Sequence, residues 1–388
     1  MVLITENYLC FGCTACYSIC PESCITMRSD VEGFLYPVVE MEACVKCGLC
    51  EEVCPLNQQT DSTTHVIYDD TVVYAVKHQN EAVRACSSSG GVFTAVSDLV
   101  LEGGGVIYGA AFDTSFKIGH RKAETSAERD AFRKAKYVQS DLKNTFSEIQ
   151  GFLKAGRTVL FTGTPCQVAG LNGFLRQEYC HLITCDLVCH GVPSPKLFSD
   201  YCAFVEKKYR SKLKQYDFRP KSKGWRDYNP TASFENGEKI GGTFVLNTFI
   251  KIFFTHLAFR PACYSCKYTS FNRPADLTLA DFWGVEQHYP AFDDNRGISL
   301  LLINSSKGQE AFEKIKGQFF YIKSTKQACM QQNLHSPSQP RGDRNIFWQK
   351  YVEYGFDYAA EKYGGYNRFS ICKEIIKKTL KKIQLYSL

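Results

Sequence analysis

One cysteine pattern occurs twice near the start of this sequence, with identical spacing. The first copy is Cys10-x-x-Cys13-x-x-Cys16-x-x-x-Cys20-Pro21, and the second is Cys44-x-x-Cys47-x-x-Cys50-x-x-x-Cys54-Pro55. In such a run three closely spaced thiolates wrap one iron-sulfur cubane, while the fourth cysteine, followed by proline, ligates the other cubane. The spacing therefore predicts two [4Fe-4S] clusters with crossed ligation. The cluster I quartet is Cys10, Cys13, Cys16 and Cys54, and the cluster II quartet is Cys20, Cys44, Cys47 and Cys50.

Structural zinc is the alternative for these runs, but zinc sites normally use separated pairs of cysteines. The chain has 19 cysteines among 388 residues and no export signal at its start, so disulfides are disfavoured and we expect a cytoplasmic protein. The formal charge is +6, and each oxidised cluster should contribute about −2. Little positive charge then remains, and we expect no nucleic-acid partner.

Periodicity and composition divide the chain into four parts: a cluster-binding domain at residues 1–57, a polar linker at 58–70, a large domain at 71–365 and a basic amphipathic tail at 366–388. In the large domain, apolar strands at 71–77, 106–112, 158–162 and 182–189 alternate with helices at 92–102, 141–154 and 195–210. This pattern predicts a small α+β ferredoxin domain followed by an α/β domain. Residues 216–283 are expected to be rich in strands and loops. No segment is apolar enough to span a membrane, and a tail helix packed on its own domain is favoured over weak contact with a membrane surface.

A third group of cysteines is spread over the large domain. Cys166 and Cys189 each follow a predicted strand, and Cys263 and Cys266 belong to a Cys-Tyr-Ser-Cys pair. Since the carboxyl ends of parallel strands meet at one edge of a sheet, these four side chains are a candidate ligand set for a further metal centre. A tetrahedral zinc site and ordinary buried thiols are the alternatives.

Residues 87–91 (SSSGG) form a loop of small residues between a predicted strand and a helix. Backbone and hydroxyl donors at the start of a helix suit the phosphates of a dinucleotide. The loop matches neither the Walker pattern nor GxGxxG, and such residues also serve as ordinary helix caps.

From about Val73 to Trp283 and beyond, the chain resembles the β subunit family of coenzyme F420-reducing hydrogenases and F420-dependent dehydrogenases, which includes 7-hydroxymethyl chlorophyll a reductase. The resemblance rests on SSSGGVF (87–93), KYVQSD (136–141), LFTGTPCQVAGL (160–171), DLVCHGVPSP (186–195), CYSCKY (263–268) and ADLTLADFWG (275–284). It implies an α/β domain that binds FAD beside a third [4Fe-4S] cluster, on Cys166, Cys189, Cys263 and Cys266. Cys185 departs from the expected pattern and is an alternative to Cys189 as a ligand.

The resemblance also implies contacts with flavin and substrate. Lys136 and His190 are the candidate catalytic residues. The candidate cofactor-binding residues are Ser88, Ser89, Gly90, Gly91, Tyr137, Gln139, Ser140, Thr162, Gly163, Thr164 and Gln167. A solvated helix end would account equally well for Lys136 and Tyr137, and a loop histidine satisfied by its neighbours for His190.

Together these features predict an iron-sulfur flavoprotein oxidoreductase of anaerobic metabolism, which passes electrons between its [4Fe-4S] clusters and FAD. Hydride exchange with coenzyme F420 or an analogue follows from the resemblance. The alternatives are a ferredoxin-dependent reductase of another metabolite, an electron-transfer subunit without a substrate of its own, and a structural cysteine-rich binding module. Reduced ferredoxin or another redox protein is the expected partner.

Overall fold

A computed structural model describes residues 7–57 and 71–369, together with Cys372 and Ile376. The predicted linker at 58–70, and most of the predicted tail at 366–388, lie outside the described residues. No helix of the described ranges combines the length and the apolar character needed to span a bilayer.

The N-terminal domain consists of two cluster loops and a hairpin. Its elements are α1 (Ala15–Ile19), β1 (Ile25–Ser29), β2 (Leu35–Val39) and α2 (Leu49–Glu52). Strands β1 and β2 pair antiparallel from Ile25 opposite Val39 to Ser29 opposite Leu35. Gly12 and Gly48 have φ angles of 68° and 79°, a left-handed conformation that lets each cluster loop turn tightly.

The large domain is built on a mixed sheet. Its strands are β3 (Val72–His78), β4 (Val106–Phe112), β5 (Ile118–Ala123), β6 (Val159–Thr162), β7 (Leu182–Leu187), β11 (Leu277–Asp281), β12 (Ser299–Ile303) and β13 (Phe319–Ser324). Within the described residues their order is β13-β3-β12-β11-β7-β6-β4-β5. Strands β4, β6, β7 and β11 run parallel at the centre, and the outer pairs are antiparallel. The predicted strand-helix alternation is therefore observed at the centre of the sheet.

Helices cover both faces of this sheet, as buried parallel strands require. The helices between β3 and β11 are α3 (Glu81–Ala85), α4 (Val92–Glu102), α5 (Ser126–Arg129), α6 (Thr145–Lys154), α7 (Pro165–Leu175), α8 (Pro195–Tyr209) and α9 (Phe244–Thr255). Three more follow: α10 (Val285–His288), α11 (Ser306–Ile315) and α12 (Arg344–Lys362), which is interrupted at Gly355. Helix α4 packs with α11 in one core, and α6 with α7 in another.

Residues 216–283 are less strand-rich than the sequence predicts. A second, three-stranded sheet is formed by β8 (Leu213–Asp217), β9 (Thr231–Phe234) and β10 (Lys239–Gly241), but a long helix, α9, follows it. The aromatic and β-branched residues of α9 favour a strand locally. Burial of its Leu246 and Phe249 against α8 and α12 stabilises the helix instead.

The N-terminal domain shares its hydrophobic core with the large domain. Cys10, Phe34 and Tyr36 pack with residues of α8 and α9, whereas Cys13 and Val53 pack with α6 and α7. At the tip of the hairpin, Arg344 Nη1 donates to Glu32 Oε1 at 2.9 Å. The domain therefore lies in a fixed position against the large domain, on the side from which α7 begins.

Candidate redox centres

The cluster I quartet is assembled from both cysteine runs, as crossed ligation requires. Cys54 of the second run lies beside Cys10, Cys13 and Cys16 of the first. Burial, reinforced by the thiols of Cys10 and Cys54, raises the pKa of Cys16 to about 12. Three of these thiols are buried and Cys54 is partly buried. Thiols held this close are stable as neutral groups, or as thiolates bound to a cationic iron-sulfur core.

The cluster II quartet lines a single pocket between the hairpin and α2. Cys47 is exposed, so this pocket opens toward solvent. Cys24 is 6% exposed, lines the same pocket and has its sulfur 3.3 Å from that of Cys20. Both predicted quartets are thus brought together by the fold.

The third group of cysteines, here called the third quartet, also lines one pocket: Cys166, Cys189, Cys263 and Cys266. Cys166 is in the first turn of α7, directly after β6. Cys189 follows the end of β7, Cys263 lies within a short 3-10 helix at Pro261–Ser265, and Cys266 directly follows that helix. The parallel pairing of β6 with β7 places the first two at the same sheet edge, as the sequence predicts.

Backbone amides point at two sulfurs of the third quartet. Gly191 N donates to Cys189 Sγ at 3.4 Å, and Val192 N donates to Cys263 Sγ at 3.5 Å. Burial raises the pKa of Cys166 to about 12 and that of Cys189 to about 11. Such amide donors stabilise thiolate charge around an iron-sulfur cluster and tune its reduction potential.

Cys185 does not share this pocket. It is 2% exposed on β7 and packs in the core beneath α4 with Leu160 and Leu277. Since side chains alternate along a strand, it faces the side of the sheet opposite Asp186. Of the two alternatives that the sequence leaves open, the structure brings Cys189 to the third quartet.

Within residues 7–57 and 71–369, no three His, Cys, Asp or Glu side chains converge on a point as the ligands of one ion.

The SSSGG loop uses part of its hydrogen-bonding capacity within the protein. Ser89 Oγ donates to Ile298 O at 2.7 Å, and Gly90 N donates to Ser299 Oγ at 2.9 Å. A Cβ on Gly90 would lie 2.1 Å from Val76 O, so the glycine allows the loop to lie against the sheet. Gly91 begins α4 with a φ of 98°. Ser88 Oγ is buried and has no hydrogen-bond partner within the described residues.

Lys136 and Tyr137 lie in an irregular segment rather than at a helix end. The ammonium of Lys136 donates to the carbonyls of Ala131 and Arg133 at 2.8 and 2.7 Å. Burial lowers the pKa of Lys136 to about 7, although nearby Asp217 opposes this shift. Tyr137 is packed against Phe253, with its hydroxyl 3.4 Å from Arg219 Nη1.

Tyr137 belongs to a buried cationic and aromatic group that we call the Arg219 group: Tyr137, Arg219, Lys221, Trp225, Tyr228, Asp281 and Trp283. Arg219 pairs with Asp281 and lies over the rings of Tyr228 and Trp283, 4.5 and 5.3 Å from their centroids. Lys221 donates to Ser89 O, which ties this group to the SSSGG loop. Burial lowers the pKa of Lys221 to about 7.

His190 lines the pocket of the third quartet. Burial lowers its pKa, His256 adds to this effect, and Asp281 of the Arg219 group opposes it. His190 therefore lies beside the third quartet and within electrostatic range of Asp281 in the Arg219 group.

The remaining candidate residues form a network at the start of α7. Thr164 and Gln167 make a capping box, and Gln167 Nε2 donates to Ser140 Oγ at 3.0 Å. His120 bonds both Ser140 Oγ and Thr162 O, at 3.0 and 2.8 Å. Gly163 lies against the Phe161 ring and Gln167, while Gln139 Nε2 reaches the N-terminal domain and donates to Phe11 O at 3.0 Å. These contacts orient the first turn of α7, which carries Cys166.

Several residues near these sites were not selected from the sequence. Asp281 and Trp283 lie within the ADLTLADFWG segment that carried the family resemblance, so that signal was available. Arg219 and Lys221 stand in a short basic segment (219–226) that matches no known site motif, and Arg260 is a single basic residue. Only the fold brings them to these sites.

The paired cysteine quartets define an iron-sulfur protein with two ferredoxin-type cluster sites in its N-terminal domain. Residues 156–327 match the family described as the C-terminal part of the coenzyme F420 hydrogenase/dehydrogenase beta subunit, and residues 9–57 match a 4Fe-4S dicluster domain. The chain thus contains a region similar to the C-terminal part of this β subunit family, preceded by a 4Fe-4S dicluster ferredoxin domain.

Two curated proteins resemble the N-terminal domain. Sixty residues are 37% identical to the ferredoxin-type protein NapG of Haemophilus influenzae, covering 13% of this chain and 22% of that protein. Another 55-residue match is 33% identical to an uncharacterized ferredoxin of Methanocaldococcus jannaschii, covering 14% of this chain and 70% of that protein. Among solved structures, a chain of the xenon-derivatized F420-reducing [NiFe] hydrogenase complex from Methanosarcina barkeri is 16% identical, with a TM-score of 0.44, over 77% of this chain and 92% of that chain.

Proposed function

We propose that the third quartet binds a third [4Fe-4S] cluster, and that the chain is an FAD-dependent oxidoreductase exchanging hydride with coenzyme F420 or a related acceptor. The observation that carries this proposal is the convergence of four cysteines from three separate segments on one pocket. That pocket is also lined by Phe11, the residue after a cluster I ligand.

The distance between cluster I and the third quartet favours electron transfer between them. Cys166 and Gly170 are separated by four residues of α7, or about 6 Å along a helix axis. A Cβ on Gly170 would lie 2.9 Å from Cys13 Sγ, so the helix touches the cluster I loop there. Cluster II opens to solvent at Cys47 and is suited to exchange electrons with a partner.

The Arg219 group is the candidate flavin site. FAD carries a flat aromatic ring and an anionic pyrophosphate, which match aromatic faces and buried cations. Arg219 Nε and Ser88 Oγ are both buried without partners within the described residues, and are free to donate to a ligand. When bound, FAD would couple single-electron transfer from clusters to the two-electron transfer of a hydride. Tyr137, Arg219 and Lys221 would hold it, and His190 lies beside the third quartet.

Metal content separates the third cluster from its alternatives. After anaerobic reconstitution, three [4Fe-4S] clusters require about twelve iron atoms and twelve sulfides, whereas the dicluster domain alone requires about eight of each. We expect Cys189→Ser to lower the iron content by about four. Cys185→Ser is the matched control, because its thiol is two strand positions from the end of β7 but faces the core. Equal iron in the two variants would refute the ligand assignment, and zinc without sulfide would show a zinc site.

Flavin and substrate need separate measurements. Released FAD, near one per chain, is expected from the reconstituted protein; its absence would leave an iron-sulfur electron-transfer subunit. Anaerobic titration with reduced F420, NADH, NADPH and reduced ferredoxin, followed by flavin bleaching, then identifies the donor. Bleaching by reduced F420 supports the deazaflavin assignment. Bleaching by reduced ferredoxin alone would favour a ferredoxin-dependent reductase, for which the solvent-exposed cluster II quartet is suited.

A further inference from the structure

We infer that Arg260 is the shared counter-charge of cluster I and the third cluster, a positioning residue that raises the reduction potentials of both. For the third cluster this inference rests on the proposed function. For cluster I it depends only on the dicluster domain.

Arg260 lies between the two cysteine quartets. Its Nε donates to Cys10 O at 2.5 Å, and its Nη2 donates to Leu35 O at 2.9 Å, both in the N-terminal domain. Its Nη1 donates to Gln139 Oε1 at 3.0 Å. The same side chain lines the pocket of the third quartet. One guanidinium therefore faces both sites.

The charge of Arg260 lacks a carboxylate partner within the described residues. Five arginines there are buried, and the other four each contact an aspartate within 4.0 Å: Arg84 with Asp294, Arg129 with Asp98, Arg219 with Asp281, and Arg273 with Asp186. Arg260 is 1% exposed, and its hydrogen bonds all go to neutral oxygens. An arginine stays protonated in proteins, and a buried charge without compensation is costly.

Two iron-sulfur clusters would supply the missing negative charge. An oxidised [4Fe-4S] core with four thiolates carries about −2, and reduction adds one further negative charge. Both quartets lie next to Arg260, since its Nε is bound to the Cys10 backbone and its side chain lines the pocket of the third quartet. A fixed cation stabilises the more negative, reduced cluster, and therefore raises its potential.

The position of Arg260 is fixed by close packing. A Cβ on Gly12 would lie 2.7 Å from Arg260 Nη1, so the cluster I loop passes directly over the guanidinium. The ring of Tyr36 lies on it, 4.2 Å from its carbon to the ring centroid. These contacts hold the charge at a constant distance from both quartets while electrons pass.

The test is an anaerobic redox titration followed by electron paramagnetic resonance of the holoprotein. For Arg260→Gln we expect at least a tenfold fall in the reduction equilibrium constant of cluster I and of the third cluster, about 59 mV for one electron. Arg260→Lys keeps the charge and should retain most of the potential. Cluster II serves as an internal reference in every variant.

Two variants separate charge from structure. Arg260→Lys loses the guanidinium hydrogen bonds without removing charge, and is expected to leave the potentials near those of the wild type. Arg28→Gln removes an exposed charge in the same domain, and should move none of them. Unchanged cluster I potentials in Arg260→Gln would refute the inference. A wild type with only eight iron atoms would refute the third cluster alone, because the shift of cluster I is measured independently.

Discussion

Gly170 offers a direct test of the contact between α7 and the cluster I loop. A Cβ at this position would lie 2.8 Å from Cys13 Cβ and 2.9 Å from Cys13 Sγ. Carbon atoms pack best at about 3.5–4.0 Å, so Gly170→Ala requires a displacement of nearly 1 Å. Such overpacking costs about 1–3 kcal/mol. Alanine in a helix interior offsets about 1 kcal/mol of this relative to glycine.

Gly151 of α6 is the matched control, because a Cβ there meets no atom within 4 Å. Gly151→Ala should therefore stabilise the chain by about 1 kcal/mol. Both variants gain the same helix propensity. The difference between their free energies of unfolding therefore measures the cost of overpacking at Gly170, about 1–3 kcal/mol. Anaerobic urea unfolding measures this difference.

The same displacement falls on a cluster ligand and should be visible in the cluster itself. We expect Gly170→Ala to change the paramagnetic resonance of cluster I, or to lower its iron occupancy, while the signal of cluster II stays the same. Iron analysis and spectra of both variants provide the readout. If Gly170→Ala were as stable as Gly151→Ala and had wild-type spectra, the proposed closeness of α7 and cluster I would be wrong.

Three further predictions test other parts of the structure. Burial lowers the pKa of His120 from 6.5 to about 4. Below pH 6.5 the unfolded chain therefore binds a proton at this histidine that the folded chain does not bind. The free energy of unfolding should fall by about 2 kcal/mol between pH 7 and pH 5. His120→Gln should reduce this loss of stability, measured by thermal unfolding at pH 7 and pH 5. An unchanged loss would contradict the lowered pKa of His120. Arg344→Met leaves Glu32, which is 14% exposed, without its cation and should destabilise the chain by about 3 kcal/mol. Adding Glu32→Gln removes the unpaired carboxylate and should restore part of the lost stability. If the effects of the two substitutions were strictly additive, the ion pair would be contradicted. Arg219→Gln should weaken FAD binding at least tenfold, about 1.4 kcal/mol, with iron content unchanged; full flavin retention would move the flavin site elsewhere.

The sequence predicted best what depends on short spacing. Both cluster quartets follow from cysteines two or three residues apart, and the position of Cys166 and Cys189 follows from strands that end just before them. The strand-helix alternation from β3 to α8 was also readable, because each element carries its own apolar periodicity.

Tertiary packing decided the rest. Helix α9 has the composition of a strand, and only its burial against α8 and α12 makes it a helix. From the sequence, the hydroxyl of Ser89 and the amide of Gly90 were expected to be available to a phosphate. In the fold they donate instead to Ile298 O and to Ser299 Oγ at the start of β12. Arg219 and Asp281 are 62 residues apart, and no local pattern links a lone arginine to a distant carboxylate.

The shared core ties metal chemistry to folding. Cys10 and Cys13 each belong to a hydrophobic core that also contains helices of the large domain. Oxidative damage that strips iron from cluster I would thus loosen two cores at once, because four sulfurs, three of them buried, would have to find other partners or reach water. Exposure to oxygen should then be followed by cooperative unfolding and aggregation of the entire chain, well beyond the small domain that lost its metal.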